Sequence, residues 1–278
     1  MTTNRCAVLG SPVAHSLSPT LHAAGYAACE LTGWEYTRHE VDEGGLPPFV
    51  AGLDDSWRGL SLTMPLKGVA VELAGSLSDL AREAGAVNTL VRTATGWAGH
   101  NTDVAGIVTA LRDAGADRPG RATVIGSGAT ARSTLLALRE LGAEQVVVAA
   151  RRPDRGRALA ESVTGVSASV VDLATWPTTP ADVVVSTLPG GDAGLAAAEP
   201  LAEHDGGLSG TVLLDVVYAD WPTPLARAAA EQGAQVVSGL EMLVHQAAEQ
   251  FRLFTGHPPP VAAMYAAGRA ALGHTPDA

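Results

Sequence analysis

Lys67 is the one lysine in the chain; the other 17 of its 18 basic side chains are arginine. Solvated positive charge is nearly interchangeable between these residues, so a single retained lysine points to work that arginine cannot do. That work is moving a proton near neutral pH. Guanidinium stays protonated, whereas an ammonium removed from water gives up its proton far more readily and serves as acid or base. The plain alternative is an ordinary solvated lysine, left alone by arginine-favouring codon usage.

The residues around Lys67 suit the first reading. Leu60 and Leu62 alternate with Ser61 and Thr63, the period of a half-buried strand. Pro65 stops that strand, and Lys67 falls at the start of a helix carrying Val69, Val71 and Leu73. A lysine just past a strand end sits where loops build sites.

Two hydroxyls form a second candidate. Ser16 and Ser18 precede a helix that opens near Pro19, with Ser18 read as its N-cap and Pro19 at N1. Free N–H groups and the positive dipole end make this a place for a carboxylate, although capping alone would also account for Ser18. His15 and His22 nearby read as packed, hydrogen-bonded histidines rather than site residues. Asp103 stands before an apolar-periodic run (Val104, Ile107, Val108, Leu111), so it starts or caps a helix. Asn88 is a polar residue inside the strand pattern Ala86–Arg92.

The third candidate binds a nucleotide. The short apolar strand 122–125 runs into Gly126-Ser127-Gly128-Ala129-Thr130-Ala131-Arg132, then a helix, then the strand 145–150. Small residues there let backbone approach a pyrophosphate seated on the helix N-terminus. Where an NAD site carries a carboxylate for the ribose, this strand ends in Arg151-Arg152. Two arginines suit a 2′-phosphate, so NADP is expected. A merely solvated basic helix start is disfavoured, because the N-terminus is the wrong end for positive charge.

Composition sets the frame for these sites. The chain has 278 residues, 46% hydrophobic but only 4% aromatic, which suits an α/β core of Ala, Val and Leu. A formal net charge of −11 argues against nucleic acid or an anionic membrane as partner. Cys6 and Cys29 lack a CxxC partner and read as free thiols, with no metal site. No charged-then-apolar leader and no membrane-length apolar run is present, so a soluble, cytoplasmic protein is expected.

Further strands are expected at 34–41, 181–188, 211–218 and 235–237, with a helix near 224–232. Residues 121–238 therefore read as a doubly wound domain, preceded by a domain with strands of its own. A closing helix from Gly239 through Phe254 carries Gln246 on its apolar face, where the amide needs a polar partner or ligand. Gly273 to Ala278 reads as a frayed tail.

Together, in this order, these stretches resemble the shikimate dehydrogenase family. The resemblance is carried by Gly10-Ser-Pro-Val-Ala-His-Ser-Leu-Ser-Pro19, Ser61-Leu-Thr-Met-Pro-Leu-Lys67, Gly85-Ala-Val-Asn-Thr89 and Asn101-Thr-Asp103 with Gly106. It continues in the glycine turn, in Tyr218 with Pro222-Thr-Pro224, and in Gly239-Leu-Glu-Met-Leu-Val-His-Gln-Ala247. It implies two α/β domains: a substrate domain, 1–103 completed by 240–278, and an NADP-binding Rossmann domain, 104–239. It implies NADP-linked, reversible reduction of 3-dehydroshikimate to shikimate by a monomer or homodimer, with Lys67 and Asp103 as the catalytic pair. By the same match Ser16, Ser18 and Tyr218 hold the substrate carboxylate, while Thr63, Asn88 and Gln246 hold ring hydroxyls. Asp79, Val216 and Gly239 lie near the cofactor.

The chain departs from the family pattern in places. Ser61 and Ala23 stand where many members have asparagine, the family's tryptophan near the end of the last helix is Phe254 or absent, and Ala150 replaces an asparagine before the arginines. None of these removes a proposed catalytic group. The rival readings are a paralogue acting on quinate with NAD, a catalytically silent NADP-binding regulator, and a folate-linked dehydrogenase. Retention of Lys67 with Asp103 disfavours the regulator, and the Ser-Leu-Ser-Pro loop disfavours the folate enzyme.

Overall fold

The structure is a computed structural model that describes residues 3–204 and 206–273. Positions 274–278 of the expected tail lie outside the described residues. The chain forms two compact units: one takes it up to Thr102 and again from Val244, and the other is Asp103–Leu243.

The first unit opens with β1 (Asn4–Gly10), α1 (Ser18–Ala28), β2 (Trp34–Glu40), α2 (Leu46–Ala51) and β3 (Trp57–Leu62). It continues with α3 (Val69–Leu73), β4 (Ser76–Leu77), α4 (Asp79–Ala84), β5 (Thr89–Thr93) and β6 (Gly96–His100). Its strands form one sheet in the order β2-β1-β3-β5-β6-β4. β1 runs parallel to β2 and β3, whereas β3–β5 and β5–β6 are antiparallel. Leu9, Leu60, Leu62, Leu66, Leu90 and Trp97 pack into its core. From the Thr95-Gly96 turn, Gly96–His100 runs as a strand paired with β5. Gly96, Ala98 and Gly99 there carry little β signal of their own.

The second unit holds α5 (Asp103–Asp113), β7 (Arg121–Ile125), α6 (Ala129–Glu140), β8 (Gln145–Ala150), α7 (Pro153–Glu161) and β9 (Ser167–Asp172). Then come β10 (Val183–Ser186), α8 (Asp192–Ala202), β11 (Val212–Asp215), α9 (Pro224–Glu231) and β12 (Gln235–Ser238). Every pair in its sheet, β12-β11-β10-β7-β8-β9, is parallel. The chain enters at β7, builds outward through β8 and β9, then returns to lay β10 to β12 on the other side. Such a doubly wound sheet reverses its order between β7 and β10, and the carboxyl ends there are where nucleotides bind. β10 and β11 are buried along their whole length, as parallel strands covered on both faces must be.

α10 (Gly239–Thr255) takes the chain from the second unit back into the first, where α11 (Val261–Ala271) packs on α1. Within the first unit, the Phe254 ring of α10 lies over Gly59. A Cβ at Gly59 would stand 2.1 Å from Phe254 Cδ1, so only glycine fits. No helix among the described residues is long and apolar enough to cross a membrane.

Candidate active site

β3 ends at Leu62, and the turn Thr63–Lys67 is pinned from two sides. Thr63 N donates to the Leu9 carbonyl at 2.9 Å, and Ser11 N donates to the Met64 carbonyl at 3.0 Å. On the other side Val87 N donates to the Lys67 carbonyl at 2.8 Å. Gly10 permits this crossing: a Cβ there would meet Thr63 Cγ2 at 2.2 Å and the Met64 carbonyl oxygen at 3.0 Å. Lys67 is half-buried and lies in the turn before α3, not inside the helix.

Asn88 follows Val87 and is buried. Its Oδ1 accepts from Thr102 N at 2.8 Å and from Thr89 Oγ1 at 2.7 Å, while its Nδ2 donates to Thr102 Oγ1 at 2.9 Å. Thr102 Oγ1 also reaches Gln246 Oε1 at 3.5 Å, so α10 is joined to the same cluster. Asp103 comes next in the chain as the first residue of α5, and is buried. The first unit thus gathers the backbone of Lys67 with Asn88, Thr102 and Gln246.

Ser16 and Ser18 are both buried, but Ser18 does not cap α1. The cap position is Leu17 and Ser18 is the first helical residue. Its N–H donates to Ser16 Oγ at 3.3 Å, and Ser16 Oγ donates to Ser18 Oγ at the same distance. The hydroxyls engage one another because no extended residue precedes the helix to aim a capping oxygen back at it. The two histidines also differ from expectation. His15 is exposed. His22 is packed, its ring stacked on Tyr36 at 4.1 Å, yet neither ring nitrogen has a hydrogen-bond partner. The neighbouring Gln250 already uses its amide on other groups. Burial brings the His22 imidazole down to about 3, an effect only partly opposed by that amide. Burial likewise pushes the Cys6 thiol up to about 12, and both cysteines are free.

In the second unit, β7 hands over to α6 through the glycine turn. Gly126 has φ +115, and a Cβ there would lie 2.4 Å from Thr187 Oγ1. Glycine is required at that turn on both counts. Gly128 differs: nothing lies within 4 Å of where its Cβ would be, so the space before it is open. No side chain caps α6, which leaves the N–H groups of its first turn facing that space. Ser127 and Thr130 border the turn, Ala129 opens the helix, Ala131 packs inward fully buried, and Arg132 follows half-exposed. Arg151 and Arg152 are exposed just past β8, with Arg152 3.2 Å from Asp154. Open small-residue backbone, uncapped N–H groups and exposed guanidiniums fit a dinucleotide with an extra phosphate.

The loop after β11 is built by close approach. A Cβ at Gly239 would stand 2.2 Å from the Val216 carbonyl oxygen, and Gly239 N donates to Val217 O at 3.2 Å. Asp215 anchors this loop: Thr223 Oγ1 donates to its Oδ2 at 2.7 Å and Val217 N to its Oδ1 at 3.3 Å. Burial raises the Asp215 carboxyl above its ordinary range, against those hydrogen bonds. Sequence reading missed this residue, whose only signal was a carboxylate ending an apolar strand. Tyr218 is half-buried in the same loop. Asp79 stands exposed at the first turn of α4, its carboxylate 2.8 Å from Arg82.

A parallel doubly wound sheet with an open glycine turn, joined in one chain to a mixed-sheet unit carrying a pinned lysine, defines a two-unit nucleotide-dependent oxidoreductase. Comparison with known proteins narrows the class. Residues 8–90 match the shikimate dehydrogenase substrate binding domain, 110–193 the shikimate / quinate 5-dehydrogenase model, and 239–267 the shikimate 5'-dehydrogenase C-terminal domain. The NADP(+) shikimate dehydrogenase of Anaeromyxobacter sp. is 40% identical, with 94% of each chain covered. The crystal structure of Mycobacterium tuberculosis shikimate dehydrogenase superposes with a TM-score of 0.85 at 40% identity, covering 96% of this chain and 99% of that one. The Thermus thermophilus enzyme, solved in complex with NADP(H) and shikimate, gives a TM-score of 0.84 at 35% identity, covering 97% of this chain and 100% of that one. The chain belongs to the shikimate dehydrogenase family.

Proposed function

We propose that this chain catalyses the reversible, NADP-dependent reduction of 3-dehydroshikimate to shikimate, a step of aromatic amino acid biosynthesis. The observation that carries the reading is the 2.8 Å bond from Val87 N to the Lys67 carbonyl. It fixes the turn of the chain's one lysine against the residue before the buried Asn88. The turn that carries the acid–base group and the segment that carries a hydrogen-bonding amide are thereby held together.

NADPH, when bound, supplies the hydride that no side chain can give. Lys67 hands a proton to the oxygen that gains negative charge as the carbonyl becomes an alcohol, and recovers it in the reverse direction. Asp103 shares this proton handling. Ser16 and Ser18, with Tyr218, hold the carboxylate; Thr63, Asn88 and Gln246 hold ring oxygens. The 126–132 turn receives the pyrophosphate, Arg151 and Arg152 the 2′-phosphate, and Val216, Gly239 and Asp79 complete the cofactor's surroundings. The net charge of −11 accords with small-molecule partners and no nucleic-acid or membrane partner. The enzyme is read as cytoplasmic, and as a monomer or homodimer.

The test is initial-rate absorbance at the reduced-nicotinamide band, with shikimate and quinate each paired with NADP and NAD. Turnover concentrated in the shikimate–NADP pair is expected. Comparable rates with quinate or NAD would move the chain to a paralogous activity, and silence in all four would refute an enzyme.

A further inference from the structure

Five side chains of the first unit form a directed chain of hydrogen bonds, each donating to the next. Tyr36 Oη donates to Ser61 Oγ at 2.6 Å, and Ser61 Oγ donates to Gln250 Oε1 at 2.7 Å. Gln250 Nε2 then donates to Thr89 Oγ1 at 2.9 Å and to the Asn88 carbonyl at 3.2 Å. Thr89 Oγ1 donates to Asn88 Oδ1 at 2.7 Å. A hydroxyl has one proton, so a threonine that accepts from Gln250 must direct its own proton to Asn88. Thr102 N reaches the same Asn88 oxygen at 2.8 Å. With Oδ1 held by two donors, the amide cannot flip, and Nδ2 is fixed as its donating end, one of its two hydrogens going to Thr102 Oγ1 at 2.9 Å. At the head of the chain, His22 stacks on Tyr36 with a 9° angle between the rings and keeps the phenol aimed at Ser61.

We propose that Gln250 is a positioning residue for the reaction: acting through Thr89, it locks the Asn88 amide so that Nδ2 is the group offered to an acceptor oxygen on the substrate ring. The proposal rests on the reading of Asn88 as a substrate-holding residue. Gln250 is 1% exposed and Thr89 0%, so both act through Asn88 and neither touches substrate. Gln250 lies one turn beyond Gln246 on the same face of α10, and no local pattern marks it in the sequence.

Four variants test it, each assayed for KM toward shikimate and toward NADP. Thr89→Val keeps the shape and removes the hydroxyl; Gln250→Met keeps the length and removes both hydrogen-bonding ends. Each is expected to raise KM for shikimate about tenfold, as loss of one buried polar contact does, with KM for NADP within about twofold of the parent. Thr89→Ser restores the hydroxyl and is expected to stay within about twofold of the parent in both. Asn88→Ala tests the underlying reading and is expected to raise KM for shikimate at least about tenfold. If Asn88→Ala leaves that KM unchanged, the role of Asn88 falls. If Asn88→Ala raises it while Thr89→Val and Gln250→Met do not, the Gln250 proposal alone is overturned. It is equally overturned if both KM values rise together, or if Thr89→Ser behaves like Thr89→Val. Should Gln250→Met fail to fold, the Val and Ser pair at position 89 decides.

Discussion

The two units position their groups by opposite means. In the first, polar side chains are buried and held by one another: Ser16 with Ser18, and Ser61, Thr89, Asn88 and Thr102 with Gln250 and Gln246. In the second, a buried Asp215–Thr223 pair anchors one loop, but the nucleotide site consists of exposed backbone, a helix start and two exposed guanidiniums. A polar ring studded with hydroxyls needs donors and acceptors in fixed directions. A pyrophosphate needs close approach and positive potential, which backbone N–H groups already provide. The first unit should therefore respond to changes of hydrogen-bonding groups, and the second to added atoms and removed charge.

Two glycines put the contrast most sharply. Gly10 is closed over by Thr63 and Met64, so Gly10→Ala must displace the lysine turn. We expect kcat/KM for shikimate to fall about 100-fold, the scale of a displacement near 1 Å in a catalytic group. Stability should drop by about 1–3 kcal/mol, read by urea denaturation. Gly128 faces open space, so Gly128→Ala should leave stability within about 0.5 kcal/mol. It should nevertheless raise KM for NADP about tenfold, because the methyl occupies the approach to the helix N-terminus. Equal stability losses at both positions would erase the distinction.

A charge change comes next in size. Arg151→Ala should raise KM for NADP by about fivefold to tenfold while moving KM for NAD less than about twofold. The same effect on both nucleotides would remove the 2′-phosphate role.

The smallest effect is confined to acid. A histidine whose native value lies below its free value of 6.5 stabilises the fold above that pH, and this contribution is lost as pH falls toward about 3. In the parent, His22 should thus cost up to about 1.4 kcal/mol per pH unit across that window. His22→Phe keeps a ring against Tyr36 and removes two unpartnered polar atoms. Denaturation at a series of pH values should show a shallower acid limb in the variant, with the difference vanishing as a slope above pH 6.5. An unchanged limb would mean that His22 is not the group being protonated.

Local pattern carried much of this into view from sequence. The strand–turn–helix at 122–140 and the alternation before Pro65 depend on neighbours a few residues apart, so their chemistry and their folding share one stretch of chain. Ser18 shows where that reasoning stops. Its type suits a cap, but cap geometry depends on the backbone of Leu17, which no residue type reveals. Gln250 shows a second limit: its partners Ser61 and Thr89 are 189 and 161 residues away, and only the fold brings them to one helix face. The sequence predicts a hydrogen-bonded His22, because buried polar groups usually are. Its ring is packed among aromatic neighbours, while Tyr36 commits its hydroxyl to Ser61 and Gln250 its amide to Ser61, Asn88 and Thr89.

The proton work of Lys67 is tested most directly by Lys67→Ala, with turnover and NADP binding measured on the same preparation. The expected result is a fall in shikimate oxidation of about 1,000-fold, the scale of a lost general acid–base group, with NADP affinity within about twofold of the parent. Normal turnover would show that the chain's one lysine is not the proton carrier, and lost NADP binding would show that its role is structural.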